Sequence, residues 1–432
     1  MANSLNNVLV TIGGPEGTPG TAESRTHVVP HRGNPGLRAQ YQKDPDPVIS
    51  GVNMMRQKLV MAGNVQGSID LSPRCAPGFG KLVNSLLGQE DTPTQVAAAI
   101  RIRYTGSDAS CKISADTSAD TLTAETGTKG SESGDTNFGT AGVIDLTASA
   151  TDTVSELVAV IAAYTDYECE KLFGADATDT ADIEDITSKQ AKDGWVTVWF
   201  TSAASGVYRH LWPVILANTE RPVYSIQIDG RQDNYLYDGC VANGMNLSAA
   251  LKGFVEGSCD ILGFEQTGSQ SASSLDLEEA EPFRFHNAGF SLEDSDYVYT
   301  RNISLAFANN HNADGYGTGS IFRQYQEKAM FALTGDIQLR LNSTSIAEAS
   351  NINTSDLKNI YLTFKGKDDA FGTDLDELMG IEIPYTSLDD FEWVENNGVL
   401  DARIPFEAVR GMNSPYNEAV TVWMLTDDSS AF

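Results

Sequence analysis

Two segments of this chain recur in the same order in its two halves, and both show the alternation of a β-strand. Val65–Leu71 resembles Leu333–Leu339, with glycine at the same place and an apolar residue or glycine at every second position. Further along, Gly253–Ile261 aligns without gaps to Gly398–Phe406. Chance similarity is the alternative, because any two hairpins share a period of two. The shared order favours a duplicated, strand-rich unit.

The second pair of segments also predicts which side chains share a face. Successive residues of a strand point to opposite faces. The face that points away from the core carries an acid at the matched positions Glu256 and Asp401. Before each strand lies a turn, Leu251–Gly253 and Asn396–Gly398, and Asn-Gly is a strong hairpin signal. The apolar or small face consists of the matched pairs Val255/Leu400, Gly257/Ala402, Cys259/Ile404 and Ile261/Phe406.

Most of the remaining chain is rich in short strands and poor in helices. Apolar residues at helical spacing predict helices over Gly78–Leu87 and Thr153–Tyr164, with Ser320–Ala332 as a third candidate. Thr153 followed by Glu156 is the pattern of a capping box. Further strands are predicted at Val8–Ile12, Trp195–Thr201, Tyr224–Ile228, Asn302–Phe307, Leu333–Leu341, Ile360–Phe364 and Thr421–Leu425.

Asp91–Lys192 differs in composition from the chain around it. It is rich in Thr, Ala, Ser, Asp and Gly, lacks Trp, and carries seven basic and eighteen acidic residues. Its strand–strand–helix pattern predicts a small inserted α+β domain, in which Ser114–Gly139 is polar and loop-like. Gln266–Glu281 is a Ser/Gly/Glu-rich linker. We therefore expect a first unit at 1–90 and 193–265, the insertion at 91–192, and a second unit at 266–432.

The charge excludes two classes of partner. The chain carries 29 Lys+Arg and 59 Asp+Glu, a formal net charge of −30. Met1–Val60 holds six basic and four acidic residues, so the rest carries −32. Nucleic-acid binding through phosphates requires clustered cations, and so does adhesion to anionic membranes. The charge balance is compatible with a protein that lies beside DNA without binding it.

The sequence indicates no catalytic, metal or cofactor site. Gly315–Gly319 is not a dinucleotide-binding motif, and His27 and His31 lie in a Pro/Gly-rich stretch rather than on a helix. The five cysteines are scattered, which predicts reduced, buried thiols. Met1–Asn7 lacks the basic and apolar regions of a signal peptide. No apolar run approaches the roughly 20 residues that span a bilayer.

In their order, these elements resemble the major tail tube proteins of long-tailed bacteriophages, of the two-repeat type. Coverage is nearly the whole chain, and each motif alone is unspecific. The long, Pro-rich segment Ala22–Met54 is harder to match. The matching elements are Val8–Ile12 with the loop Gly17–Ala22, Gly67–Leu71 with the helix ending at Gly88, Tyr224–Ile228, Tyr237–Leu247, Leu333–Leu341 and the last hairpin.

The resemblance implies a structural virion protein and no enzyme activity or cofactor. Such proteins form rings, joined by strands across subunits, that stack into a tube through which DNA passes without specific binding. We expect two tandem β-sandwich-like repeats, with short flanking helices, that form the barrel. Three chains would then close a pseudo-hexameric ring, with a true hexamer as the alternative. Expected partners are other copies and the tape measure, tail terminator and tail tip proteins, in a tail assembled in the host cytoplasm.

The resemblance also predicts which residues of the hairpins line the lumen of the tube. If the hairpins line the barrel, Glu256, Ser258, Asp260, Asp401 and Arg403 face DNA. Alternatively, the hairpins lie outside, and the strands carrying Leu247 and Phe307 line the hole. The inserted domain is expected on the outer surface. The basic segment Ala22–Lys58 is expected at inter-ring or inter-subunit contacts through Arg25, Arg32, Arg38 and Lys43.

Two other classes remain open from the sequence. One is another virion protein or an extracellular adhesin or binding module, which would have a similar composition and would be a monomer. The other is a β-rich glycoside hydrolase, which needs a clustered acid pair in an aromatic-lined cleft. The five tryptophans are instead spread along strands.

Overall fold

The computed structural model describes residues 8–45, 58–88, 90–192, 194–202, 206–215, 221–230, 233–273, 280–292, 295–296, 300–312, 315–316, 318, 320–323, 330–340, 358–372, 375–389, 392–396, 398–409 and 418–432. Over these ranges the chain is mainly β, which confirms the predicted fold class. The start at Met1–Asn7 lies outside them. Two α-helices occur among the described residues, α1 (Pro77–Leu87) and α2 (Val154–Ala162).

The strands of the described ranges are β1 (Leu9–Pro15), β2 (Arg25–Val28), β3 (Arg38–Pro45), β4 (Lys58–Leu71), β5 (Thr94–Tyr104), β6 (Ser110–Asp116), β7 (Thr121–Thr128), β8 (Ser131–Gly134), β9 (Val143–Asp145), β10 (Tyr167–Gly174), β11 (Ile186–Gln190), β12 (Val196–Thr201), β13 (Tyr208–Ile215), β14 (Tyr224–Asp229), β15 (Asn234–Ala250), β16 (Val255–Gly263), β17 (Glu265–Thr267), β18 (Gly289–Leu292), β19 (Ser295–Asp296), β20 (Thr300–Ala308), β21 (Ala332–Arg340), β22 (Lys358–Lys365), β23 (Leu378–Leu388), β24 (Glu392–Asn396), β25 (Val399–Ala408) and β26 (Glu418–Thr426).

Eight of these strands form an antiparallel sheet, which we call the central sheet. Their order is β3, β4, β16, β15, β20, β21, β25, β24. Directly opposed residues share a face of a sheet, so all residues of one transverse row lie on the same face. One such row is Ile69, Cys259, Met245, Phe307 and Leu333, and all five are buried. The apolar alternation of each strand thus builds one continuous core face.

The segments that are similar in sequence pair in the same register. Leu71 lies opposite Gly257, and the matched Leu339 lies opposite Ala402. The same holds at all six matched positions from Gln66 to Leu71. A one-residue slip would send every side chain to the other face, so this agreement fixes the same faces in both halves.

A second layer covers the core face of the central sheet. It consists of β13, β26, β23, β22 and β18. Val422 and Met424 of β26 point into the core, whereas Trp423 and Leu425 point to the opposite face. The apolar face of α1, with Phe79 as its largest member, packs into the same core.

Both helices were predicted, and their local signals explain where they begin. Pro77 occupies the first turn of α1, where its missing N–H costs nothing. The Thr153 hydroxyl caps α2, accepting from the Glu156 N–H and donating to the Glu156 carboxylate at 2.6 Å. The third candidate helix, Ser320–Ala332, is wrong in its described parts. Phe322 and Arg323 form isolated bridges, Ala332 begins β21, and residues 324–329 lie outside the described ranges.

The inserted segment has its own core, built from β5, β10, β12, α2 and a small sheet of β6, β7, β8, β9 and β11. The predicted loop Ser114–Gly139 is wrong, because β7 and β8 lie within it. This core also contains Val198 and Phe200 of β12, past the predicted boundary at Lys192. Trp199, on the other face of β12, packs edge-on against Trp423, with 5.1 Å between ring centroids.

Candidate functional site

The face of the central sheet that points away from the core is polar across six strands. Opposed residues form a row that crosses β4, β16, β15, β20, β21 and β25. We call this surface the polar face. Its central row is Asp70, Ser258, Asn246, Ala306, Thr334 and Glu407. The two sequence alternatives for the lumen-lining strands therefore concern one sheet, since the hairpins and the strands carrying Leu247 and Phe307 are neighbours in it.

An arginine of each half pairs with the acid predicted at the matched positions. Arg32 forms an ion pair with Glu256, and both side chains are partly exposed. In the other half, Arg301 Nε lies 3.5 Å from Asp401 Oδ1. Asp401 is fully buried, and its other carboxylate oxygen accepts from Gln338 Nε2 at 3.0 Å. Each half of the chain thus has an arginine–acid pair at this position, partly exposed in the first half and with a buried acid in the second.

Arg403 is the centre of a third charged group on the polar face. Its guanidinium lies 3.2 Å from Asp336 Oδ1 and 3.4 Å from Glu392 Oε2. The hydrogen bond to Asp336 and its charge raise the pKa of Arg403, so this side chain is fixed as a cation. Ser304 donates to the same Asp336 carboxylate. The positive charge of Arg403 is therefore balanced by two acids within its own chain.

All five predicted lumen residues lie on this face, but they differ in what they present to solvent. Ser258 is half-buried, and Asp260 and Glu256 are exposed. Asp401, by contrast, presents nothing, because Arg301 and Gln338 cover its carboxylate. Two further exposed acids of this face, Asp70 and Glu407, were not singled out from the sequence.

The four basic residues predicted at inter-ring contacts lie in different settings. Arg25 donates through Nε and Nη2 to Gln227 Oε1, at 3.1 and 2.7 Å. Arg32 reaches Glu256, as described above. Arg38 and Lys43 lie on β3, and both are exposed. The first two cations are thus used within the chain.

The central sheet ends in two edge strands. β3 pairs with β4, and β24 pairs with β25; within the described ranges, no strand pairs with the outer side of either. Trp393 of β24 is 56% exposed, and Leu400 beside it on β25 is 49% exposed. The sequence placed Leu400 on the core face, and it lies on that side without being covered. Large exposed apolar side chains on a strand edge mark an interaction surface.

The matched positions in the first half are buried. Leu400 aligns with Val255, which is 1% exposed. Trp393 lies opposite Ala402 as Leu247 lies opposite Gly257, and Leu247 is 3% exposed. The difference is the neighbouring strand, because β15 has β20 on its other side.

Metal centres and membrane-spanning helices are two further classes of functional feature. Within the described residues, no three His, Cys, Asp or Glu side chains come close enough to hold a metal ion. None of the helices described is long and apolar enough to cross a membrane. All five cysteines are free and buried.

The paired arginines could not be found from the sequence. Arg32, in the segment between β2 and β3, and Glu256 on β16 are far apart in the chain and meet only across β4. A bulge between Thr300 and Asn302 shifts Arg301 in register, so a gap-free comparison does not align it with Arg32. The matched acids were the only visible trace of the arrangement.

A family model described as phage tail tube protein matches residues 6–408. A search of curated proteins finds no matching relative.

Proposed function

The chain belongs to the phage tail tube protein family, and we propose that three copies close into a ring that stacks to form a conduit for the phage genome. Family membership makes it a structural protein of the virion tail, which assembles into a tube of copies together with other tail proteins. The family is not an enzyme family. The number of copies per ring, the lining of the lumen and the passage of DNA are the parts that we propose.

The shared register carries the proposal of two tube-forming units per chain. Each unit has four strands, β3–β4–β16–β15 and β20–β21–β25–β24, and the inner pairs have the same register at six matched positions. In each unit an arginine reaches across the second strand to an acid on the third. Two equivalent units per chain require three chains for a ring with pseudo-sixfold symmetry.

Electron microscopy of purified protein tests assembly, and native mass measurement of single rings tests the number of chains. Rings of three chains are expected. A ring of six chains would show that the two units do not act as equivalents, and a persistent monomer would contradict the tube itself.

We further place the polar face on the lumen. It is the solvent-facing side of the one sheet that both units share, and its exposed acids Asp70, Asp260 and Glu407 repel phosphate. Three cations of this face, Arg32, Arg301 and Arg403, are paired with acids, and Arg38 lies exposed at its β3 edge. Because each neutralised phosphate adds to DNA binding, such a surface lets a duplex slide.

The position of the inserted unit supports the same orientation. Among its contacts with the rest of the chain, Trp199 and Phe173 pack on Trp423, on the face of the second layer that points away from the central sheet. The inserted unit is therefore on the far side of the second layer from the polar face, and this supports the proposal that it lies on the outside of the tube.

Charge reversal with nuclease protection tests the lumen assignment. Assembled tubes are mixed at low salt with a short DNA duplex and treated with nuclease. Lysines in the lumen should retain a protected duplex, and the protection should weaken as salt rises. Lysines on the outside bind only digestible DNA. The lumen variant combines Asp70→Lys, Asp260→Lys and Glu407→Lys, and the control with the same charge change combines Asp116→Lys, Glu125→Lys and Asp179→Lys in the inserted unit.

Protection in both variants, or in neither, would contradict the lumen assignment without affecting ring formation. The comparison is valid only when electron microscopy shows tubes in both samples. The wild-type protein gives the baseline amount of protected duplex.

A further inference from the structure

The junction between the two halves of the chain provides a template for the contact between chains. There, β15 pairs antiparallel with β20, the first strand of the second unit. By position in the units, β24 corresponds to β15, and β3 corresponds to β20. The outer edges of the central sheet are therefore the two halves of a junction that already exists once inside the chain.

We infer that β24 of one copy pairs antiparallel with β3 of the next, in the register of the β15–β20 junction. This inference rests on the proposed ring. Asn246 and Ala306 are opposed in the internal junction, and they correspond to Glu392 and Arg38. Leu247 and Leu305 are opposed next to them, and they correspond to Trp393 and Leu37.

The side chains at the transferred positions are complementary. Arg38 is an exposed cation, and Glu392 is an exposed acid on the same polar face. One residue on, the core side of the junction would bring Trp393 against Leu37, with Ala402 and Gly67 as small flanking residues in the same row. The internal row has the same form, Gly257, Leu247, Leu305 and Gly335. A neighbouring strand thus covers the exposed indole as β20 covers Leu247.

The edge at β3 is protected in the single chain. Gly36 N donates to Ser68 O of β4, so alternation directs the Ala39 N–H outward. There the side chain of Gln266 accepts from it at 2.9 Å. Pro35, further along, has no N–H to offer. Blocked donors and prolines are how natural edge strands avoid unwanted pairing. The Leu37 carbonyl, which has the same outward direction, accepts from the Tyr237 hydroxyl at 3.1 Å. The incoming strand therefore exchanges the Gln266 and Tyr237 bonds for ladder bonds.

Disulfide trapping tests the register. By the same alternation, Arg38 and Glu392 form a non-hydrogen-bonded pair, with Cα atoms about 4.5 Å apart, which is within the range of a disulfide. The variant Arg38→Cys with Glu392→Cys should, on oxidation of assembled rings, lose its monomer band and form covalent oligomers that end at the closed ring. Glu392→Cys with Gln42→Cys, displaced by about 13 Å along the strand, is the matched control and should stay monomeric on the gel.

Rings that form without cross-linking in the first variant, or that cross-link equally in the control, overturn the register and leave the proposed ring intact. Wild-type protein that forms no rings overturns the proposed function instead. If the double-cysteine variant does not assemble, exchanging the charges of Arg38 and Glu392 tests the pairing instead. Arg38→Glu and Glu392→Arg should each reduce ring yield, and the two together should restore it. Absence of restoration overturns the pairing.

Discussion

Two glycines at matched positions should resist substitution for the same physical reason. A Cβ added at Gly67 would lie 2.4 Å from the carbonyl oxygen of Gly36, and one added at Gly335 would lie 2.5 Å from that of Ser304. Gly36, two residues before β3, and Ser304 of β20 are themselves matched. Both contacts are about 1 Å closer than van der Waals distance, and each involves backbone of the neighbouring strand, which cannot rotate away.

The size of the effect follows from how far each neighbour can move. Overpacking costs about 1–3 kcal/mol, and alanine in a strand recovers roughly 0.5–1 kcal/mol relative to glycine. β3 is an edge strand and can shift, so Gly67→Ala should cost about 1 kcal/mol. β20 is held by β15 and β21 on its two sides, and Phe406 also crowds Gly335. Gly335→Ala should therefore cost about 2 kcal/mol or more.

Equilibrium denaturation of the unassembled protein, followed by circular dichroism, measures both. Gly14→Ala is the control, because Gly14 is a strand glycine of β1 whose added Cβ meets no atom within 4 Å. It should be neutral or slightly stabilising. If Gly335→Ala denatures within about 0.5 kcal/mol of Gly14→Ala, or if Gly67→Ala is the worse of the two strand variants, the close-approach argument is refuted.

Two further predictions concern charge. Arg301→Ala removes the positive charge beside the buried Asp401 carboxylate and should lower the free energy of unfolding by about 2–3 kcal/mol. Arg32→Ala removes the partner of an exposed acid and should lower it by less than about 1 kcal/mol. Equal losses in a denaturation experiment would contradict this. Burial first, and then the negative charges nearby, raise the pKa of Asp238 to about 6. The folded protein therefore holds this proton to higher pH than the unfolded chain, and stability falls as pH rises from about 4 to 6. Asp238→Asn should raise the denaturation midpoint at pH 7.5 and leave it unchanged near pH 4; equal shifts at both pH values would count against the assignment.

Much of the central sheet followed from the sequence because its strands obey a simple rule. Alternation in the segments around Ile69, Cys259, Ile337 and Ile404 predicted the core face, and the structure pairs those strands in matched register. β7 was missed because its residues, Thr121–Thr128, are mostly Thr, Ala, Glu and Gly, and they become strand by pairing with β6. Tertiary pairing of this kind overrides local propensity.

The polar contacts were beyond sequence reasoning for a different reason. Alternation predicts the face on which Glu256 and Asp401 lie, but the reach of an arginine across an intervening strand depends on bulges and strand ends. Depth is also set by neighbours, since the matched acids differ from fully buried to exposed. The exposure of Trp393 has the same origin. Leu247 is at the equivalent position, but there the neighbouring strand β20 covers it.

The covalent continuity between β15 and β20 has a kinetic consequence. In a ring of three copies, half of the junctions between units form while each chain folds, at the high effective concentration that a tether provides. Two encounters between free molecules and one closure within the assembly then complete the ring, where separate single units would need five encounters and a closure. Ring formation should accordingly depend less steeply on protein concentration than it would for an unlinked pair of units, and closed rings should persist at greater dilution.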